Sequence, residues 1–79
     1  MVELKKVLSD IAKAIVDDPD AVSVTETEEG DDGVLLELHV AEDDMGKVIG
    51  RHGKIAKSIR LVMKAAANTI GKHVTVEIK

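Results

Sequence analysis

Two glycines enclose an arginine and a histidine at Gly50-Arg51-His52-Gly53, and a lysine follows directly at Lys54. Glycine carries no Cβ, so it reaches positive φ cheaply and lets another backbone come close. Arg51 and Lys54 bring fixed positive charge, and His52 brings a further hydrogen-bond donor. A helix starting near Lys54 would aim its unpaired N–H groups and the positive end of its dipole at the same spot. The chemistry open to these residues at this spacing is to hold a polyanion, phosphate above all. The pattern calls for neither a metal nor a cofactor.

Two helices have to position that loop. Met45-Gly46-Lys47-Val48-Ile49 reads as a short helix that delivers Gly50, with Asp43 or Asp44 as its N-cap, where a carboxylate also complements the helix dipole. Gly46 lowers intrinsic helicity, so its expected use is close packing against the first helix or the sheet. From Lys54 to about Thr69 the residues Ile55, Ile59, Val62 and Ala66 trace one helical stripe, while Lys54, Lys57, Arg60 and Lys64 lie largely elsewhere. Four basic residues on a helix ordinarily form a solvated face; beside a basic glycine loop they read as a phosphate-facing ridge. Leu61, Met63 and Ala65 widen the apolar arc beyond what a small sheet can cover. Excess apolar surface marks an interface, so this helix is expected to help make a dimer, with Leu61, Val62 and Ala65 as its contact residues.

The rest of the chain supplies the platform. Leu4, Val7, Leu8, Ile11, Ala12 and Ile15 recur at three- and four-residue spacing and predict an amphipathic helix over about residues 2–16. Asp17-Asp18-Pro19-Asp20 should end it, because Pro19 disfavours helical geometry before it and lacks an N–H. The carboxylates there lack the glycine and terminal glutamate of a calcium loop, so the run reads as a solvated turn. Ala21 to Glu29 and Val34 to Val40 alternate apolar and polar residues around a Gly30-Asp31-Asp32-Gly33 turn, which predicts a hairpin. Val34, Leu36, Leu38 and Val40 point inward, Glu37 and His39 outward, and Leu35 breaks the alternation. Gly71 fits a helix C-cap, and His73 to Lys79 makes a last strand through Val74, Val76 and Ile78. The order αββααβ, with a two-helix crossover before the final strand, predicts an α+β fold: a mixed three-stranded sheet with helices packed on one face.

The 79 residues suit one domain, which would bury roughly 60% of the surface its unfolded chain exposes. There is no cysteine, which removes disulfides and thiolate zinc sites and favours a reducing compartment. The apolar residues near the N-terminus alternate with charges, so no membrane span or signal peptide is read, and a cytoplasmic location is expected. Phe, Trp and Tyr are all missing, which argues against folds that bind single strands by stacking bases on aromatic rings. The formal net charge of −4 conceals a division. Residues 1–44 hold three Lys against fourteen Asp or Glu, a net of −11, and residues 45–79 hold eight Lys or Arg against one Glu, a net of +7. Positive charge is gathered on the half that carries the loop, as an electrostatic footprint for nucleic acid requires.

With αββααβ order and Gly-x-x-Gly between the central helices, the chain resembles a type II KH domain over its whole length. The segment Met45-Gly46-Lys47-Val48-Ile49-Gly50-Arg51-His52-Gly53-Lys54-Ile55-Ala56-Lys57-Ser58-Ile59-Arg60 is similar to the centre of the KhpA family of small bacterial single-KH proteins, as is Asp18-Pro19-Asp20 after an amphipathic helix. The resemblance implies an RNA-binding protein or RNA chaperone, cytoplasmic, acting on single-stranded RNA and linked to control of cell growth and division. It implies a homodimer, and pairing with a larger KH protein of the KhpB type. KH domains hold about four nucleotides of backbone in this loop; carried over, Gly50, Arg51, His52 and Gly53 are the clamp, and Val48, Ile49 and Ile55 lie at or beneath the base groove. Lys47, Lys54, Lys57 and Arg60 add charge around it.

Catalytic readings fail on spacing. A phosphate loop needs Gly-x-x-x-x-Gly-Lys-Ser/Thr, whereas Gly46 lies seven residues before Gly53 and Ile55 follows Lys54. Ser9, Ser23, Ser58 and three scattered histidines offer no nucleophile, base and orienter together. The competing expectation is a KH-fold interaction module that dimerises through the long helix and binds RNA weakly.

Overall fold

Aliphatic residues spaced three and four apart make the first element. In the computed structural model, which describes residues 3–79, helix α1 spans Leu4–Ile15 and buries Leu4, Leu8 and Ala12. Val7, Ile11 and Ile15 pack at the margin of the same core. The expected start at residue 2 lies outside the described residues. Val16 leaves the helix in extended backbone, and Pro19 then opens a single 3₁₀ turn over Pro19–Ala21, as its fixed φ and missing N–H dictate.

Strands β1 (Ser23–Glu29) and β2 (Gly33–His39) form the expected hairpin. Their antiparallel register runs unbroken from Ser23 opposite His39 to Glu29 opposite Gly33. Strand β3 (His73–Ile78) lies parallel to β2 on its other side, so the order is β1-β2-β3 and the sheet is mixed. This register aligns Val24, Leu38 and Ile78 in one row and places Val34 beside Val74 and Leu36 beside Val76. Those rows face the helices and hold Leu36 and Leu38 completely buried. Leu35 belongs to the opposite sheet face, between Thr27 and Thr75, where it is half-buried.

Between β2 and β3 come a 3₁₀ turn (Glu42–Asp44), helix α2 (Met45–Ile49), a second 3₁₀ turn (Arg51–Gly53) and helix α3 (Lys54–Asn68). Helix α3 closes with the Lys72 N–H bonded to Ala67 O at 2.9 Å and the Gly71 N–H to Asn68 O, the six-to-one closure expected around Gly71. Leu8 and Ala12 of α1 and Ile59, Met63 and Ala67 of α3 share one core with the inward faces of the strands. The architecture is therefore the α+β, αββααβ arrangement anticipated.

One expectation about α3 is corrected. Its buried stripe is Ala56, Ile59, Met63 and Ala67, rotated by roughly a fifth of a turn from Ile55, Ile59, Val62 and Ala66 at about 100° per residue. Val62 is 49% exposed, and Met63 is fully buried. Both patterns satisfy helical spacing, so only the sheet beneath selects between them: small Ala56 and Ala67 let the backbone approach, and the pliable thioether of Met63 fills the gap. Ile55 packs toward Gly50 instead of the core.

Candidate nucleic-acid interface

A helix of five residues cannot hold itself in water, so α2 depends on what fastens it. Val48, fully buried, pins its underside to the core. Asp44 fastens its start. The Asp44 side chain does not cap α2, contrary to the sequence expectation. It accepts hydrogen bonds from the backbone N–H of Asp17 at 3.2 Å and of Asp18 at 3.0 Å, in the chain leaving α1. At 2% exposure it is the buried charged residue among the described residues. Burial pushes its carboxyl up, but the amides of Asp18 and Asp17 and the ammonium of Lys47 outweigh that and hold it below its ordinary value. Two free amides in an exposed turn outcompete the α2 terminus because they complete a contact between elements. Nothing in the local Glu42-Asp43-Asp44 run distinguishes it from a capping sequence. Gly46 is also corrected: it is exposed, and an added Cβ would meet nothing within 4 Å, so it serves no close packing.

The glycine loop takes backbone that glycine alone supports well. Gly50 sits at φ 74°, ψ 174°, and its N–H closes α2 onto Gly46 O at 2.9 Å. A Cβ there would come within 2.6 Å of the Ile55 side chain. Gly53 is left-handed at φ 73°, ψ 16°, and donates to Gly50 O at 3.2 Å. Between them His52 also takes positive φ, 57°, a region where a residue with a Cβ is strained. The tight turn starts α3 at Lys54 with no side chain capping its N-terminus. Arg51, His52 and Lys54 are all exposed, and among the described residues none of them enters a salt bridge.

The other anticipated residues divide. Ile49 and Ile55 lie at the loop at 38% and 36% exposure, while Val48 can serve only from beneath. Lys57 is exposed. Lys47 is engaged: its ammonium bonds the Asp17 carboxylate and lies 3.6 Å from Asp44. Arg60 uses its Nε to bond Val76 O on β3 at 3.2 Å. The side chains expected at a dimer contact, Leu61 at 70% and Val62 at 49%, are exposed with Ala65 along the outer face of α3. A separate cavity between α1 and β1, with Leu4, Val24 and Ile70 among its walls, shares no residue with the loop.

A profile described as the KH domain of KhpA and KhpB matches residues 5–78. The chain is 55% identical over 75 residues to the RNA-binding protein KhpA of Clostridium acetobutylicum, covering 95% of this chain and 99% of that one. It is 44% identical over 78 residues to the RNA-binding protein KhpA of Aquifex aeolicus, covering 99% and 98%. Among solved structures it superposes on Aquifex aeolicus Era bound to GDP.AlF4- with a TM-score of 0.71 at 20% identity, over 95% of this chain and 29% of Era. A second, Era in complex with MgGDPNP and nucleotides 1506-1542 of 16S ribosomal RNA, gives 0.68 at 21% identity, over 95% and 28%. These superpositions speak to the fold.

Proposed function

The chain belongs to the KhpA/KhpB family of KH domains, and from that membership we propose that it is a non-catalytic, cytoplasmic RNA-binding protein whose Gly50–Gly53 loop clamps single-stranded RNA. The observation that carries this reading is the loop backbone. Two glycines at positive φ bring the uncapped start of α3 and the exposed Arg51, His52 and Lys54 to one point. Phosphates would lie against the loop amides and these side chains, where helix dipole and side-chain charge add. Bases would turn onto the exposed parts of Ile49 and Ile55, with Val48 supporting them from the core. Lys57, one turn along α3, extends the basic path; Arg60 contributes what its bond to Val76 leaves free. Lys47 contributes least, because two carboxylates already hold it. Gripping backbone without stacking suits a protein that holds or remodels many RNAs, as an RNA chaperone does.

A second reading adds to the first. The exposed Leu61, Val62 and Ala65 favour a homodimer through α3, and the same face is the one to offer a KhpB-type KH partner. One loop contacts few nucleotides, so joining two raises avidity by about 10²–10⁴.

The test is fluorescence anisotropy of a labelled single-stranded RNA titrated with wild type and with Arg51→Asp/His52→Asp across a salt series. Wild type is expected to bind with a log–log salt slope of about −0.7 per phosphate neutralised, and the double variant to lose binding while folded. Equal binding by both would overturn the clamp.

A further inference from the structure

We propose that Asp44 is the positioning residue of the glycine loop: a buried carboxylate that latches the start of α2 to the chain leaving α1 and so holds Gly50 and Gly53 where a phosphate can meet both. The proposal rests on the clamp reading for its functional consequence, and on geometry for its mechanism.

Gly50 is placed by α2, because its N–H closes the helix onto Gly46 O. Helix α2 in turn has one apolar anchor, Val48, near its far end. A short rod pinned at one point can still pivot about it. Asp44 supplies the second point. Its two oxygens take the N–H groups of Asp17 and Asp18, which are 27 and 26 residues away in sequence, and it lies at the helix boundary just before Met45. Lys47, three residues on, reaches both Asp44 and Asp17 and closes the same triangle from the α2 side. Among the described residues no buried side-chain polar atom lacks a partner, so the latch is complete. Removing the carboxylate would leave the two amides to find water and Lys47 held by Asp17 alone, and would free the rod to pivot. The glycines then sample the clamp geometry for only part of the time, and affinity falls by that fraction while the phosphate-contacting groups stay unchanged.

Asp44→Asn tests this, since the amide preserves shape but keeps only one acceptor oxygen for two donors. Amide hydrogen exchange followed by NMR is the direct readout. In the variant, protection should fall at the Gly50 and Gly53 amides and persist at Leu36 and Leu38 on the central strand. RNA affinity should fall about tenfold, as for a loop competent in one molecule in ten, with an unchanged salt slope. The Arg51→Asp/His52→Asp protein should do the opposite, losing binding with its Gly50 protection intact. Unchanged protection at both glycines would overturn the latch, as would protection lost equally throughout the core. Loop protection that falls while RNA binds as in wild type would overturn its positioning role. An RNA that fails to bind even the wild type defeats the clamp reading, and the exchange data then decide the latch.

Discussion

At the scale of single residues, the two glycines of the loop are unequal. Gly50 occupies backbone close to the region that only glycine enters freely, and the Ile55 side chain fills the space where its Cβ would be. Gly53 is left-handed, with nothing within 4 Å of the corresponding site. Gly50→Ala should therefore cost about 3 kcal/mol, from backbone strain and overpacking together. Gly53→Ala should cost about 1 kcal/mol, the left-handed penalty alone. Urea denaturation of both variants measures the difference, and adding Ile55→Ala should restore part of the loss in the first and none in the second. Equal losses would contradict the packing of Ile55 on Gly50. The motif was legible as letters, yet this asymmetry was not, because it depends on where α3 sends Ile55 after the turn.

At the scale of elements, α3 separates stability from association. Met63→Ala should cost about 3 kcal/mol, since it empties a fully buried site. Leu61→Lys, at a residue 70% exposed, should alter stability by less than about 0.5 kcal/mol. If α3 forms the dimer, sedimentation of Leu61→Lys should give a monomer with the wild-type melting curve. A dimer that survives this change would remove α3 as the interface. Val62→Lys serves as a second probe, because half-exposure spares the fold. The sequence stripe would have assigned Val62 to the core and Met63 to the surplus arc. Periodicity determines that a helix has an apolar face, but its phase is fixed by the tight turn at Gly53 and by the sheet rows beneath.

At the scale of the whole molecule, the carboxylates tie the fold to pH. Asp44 is held below its ordinary value against the pull of burial by the amides of Asp18 and Asp17 and by Lys47. Glu37 of β2 is lowered by its hydrogen bond and charge interaction with Lys79, the residue just past the end of β3. A carboxyl whose folded pKa is depressed stabilises the fold above its unfolded value, and that contribution drains as pH falls through the folded value. The thermal midpoint should thus decline below about pH 4, near the unfolded carboxyl values. Asp44→Asn should lower the neutral-pH midpoint and make the acid decline shallower. A variant that tracks wild type in parallel down to pH 2 would deny Asp44 its linkage. Under the clamp reading the same carboxylates would steer binding: with a net of −11 on residues 1–44 and +7 on residues 45–79, a polyanion would be drawn toward the half that carries the loop.

Read alone, the residues determined much of this protein. Leu4, Leu8 and Ala12 at helical spacing, the alternation of Val34, Leu36 and Leu38, and glycines at 50 and 53 were enough for element order, sheet topology and the loop. These signals are local: each depends on neighbours within a few positions along the chain. What the tertiary structure decided lies between segments far apart in sequence. Asp44 turned from capping α2 to receiving amides more than 25 residues away, Lys47 was drawn from the candidate RNA surface into that carboxylate pair, and Arg60 was bound to β3. A charged side chain in an extended chain has many partners open to it, and folding selects the one whose unpaired donors are brought within reach and shielded from water.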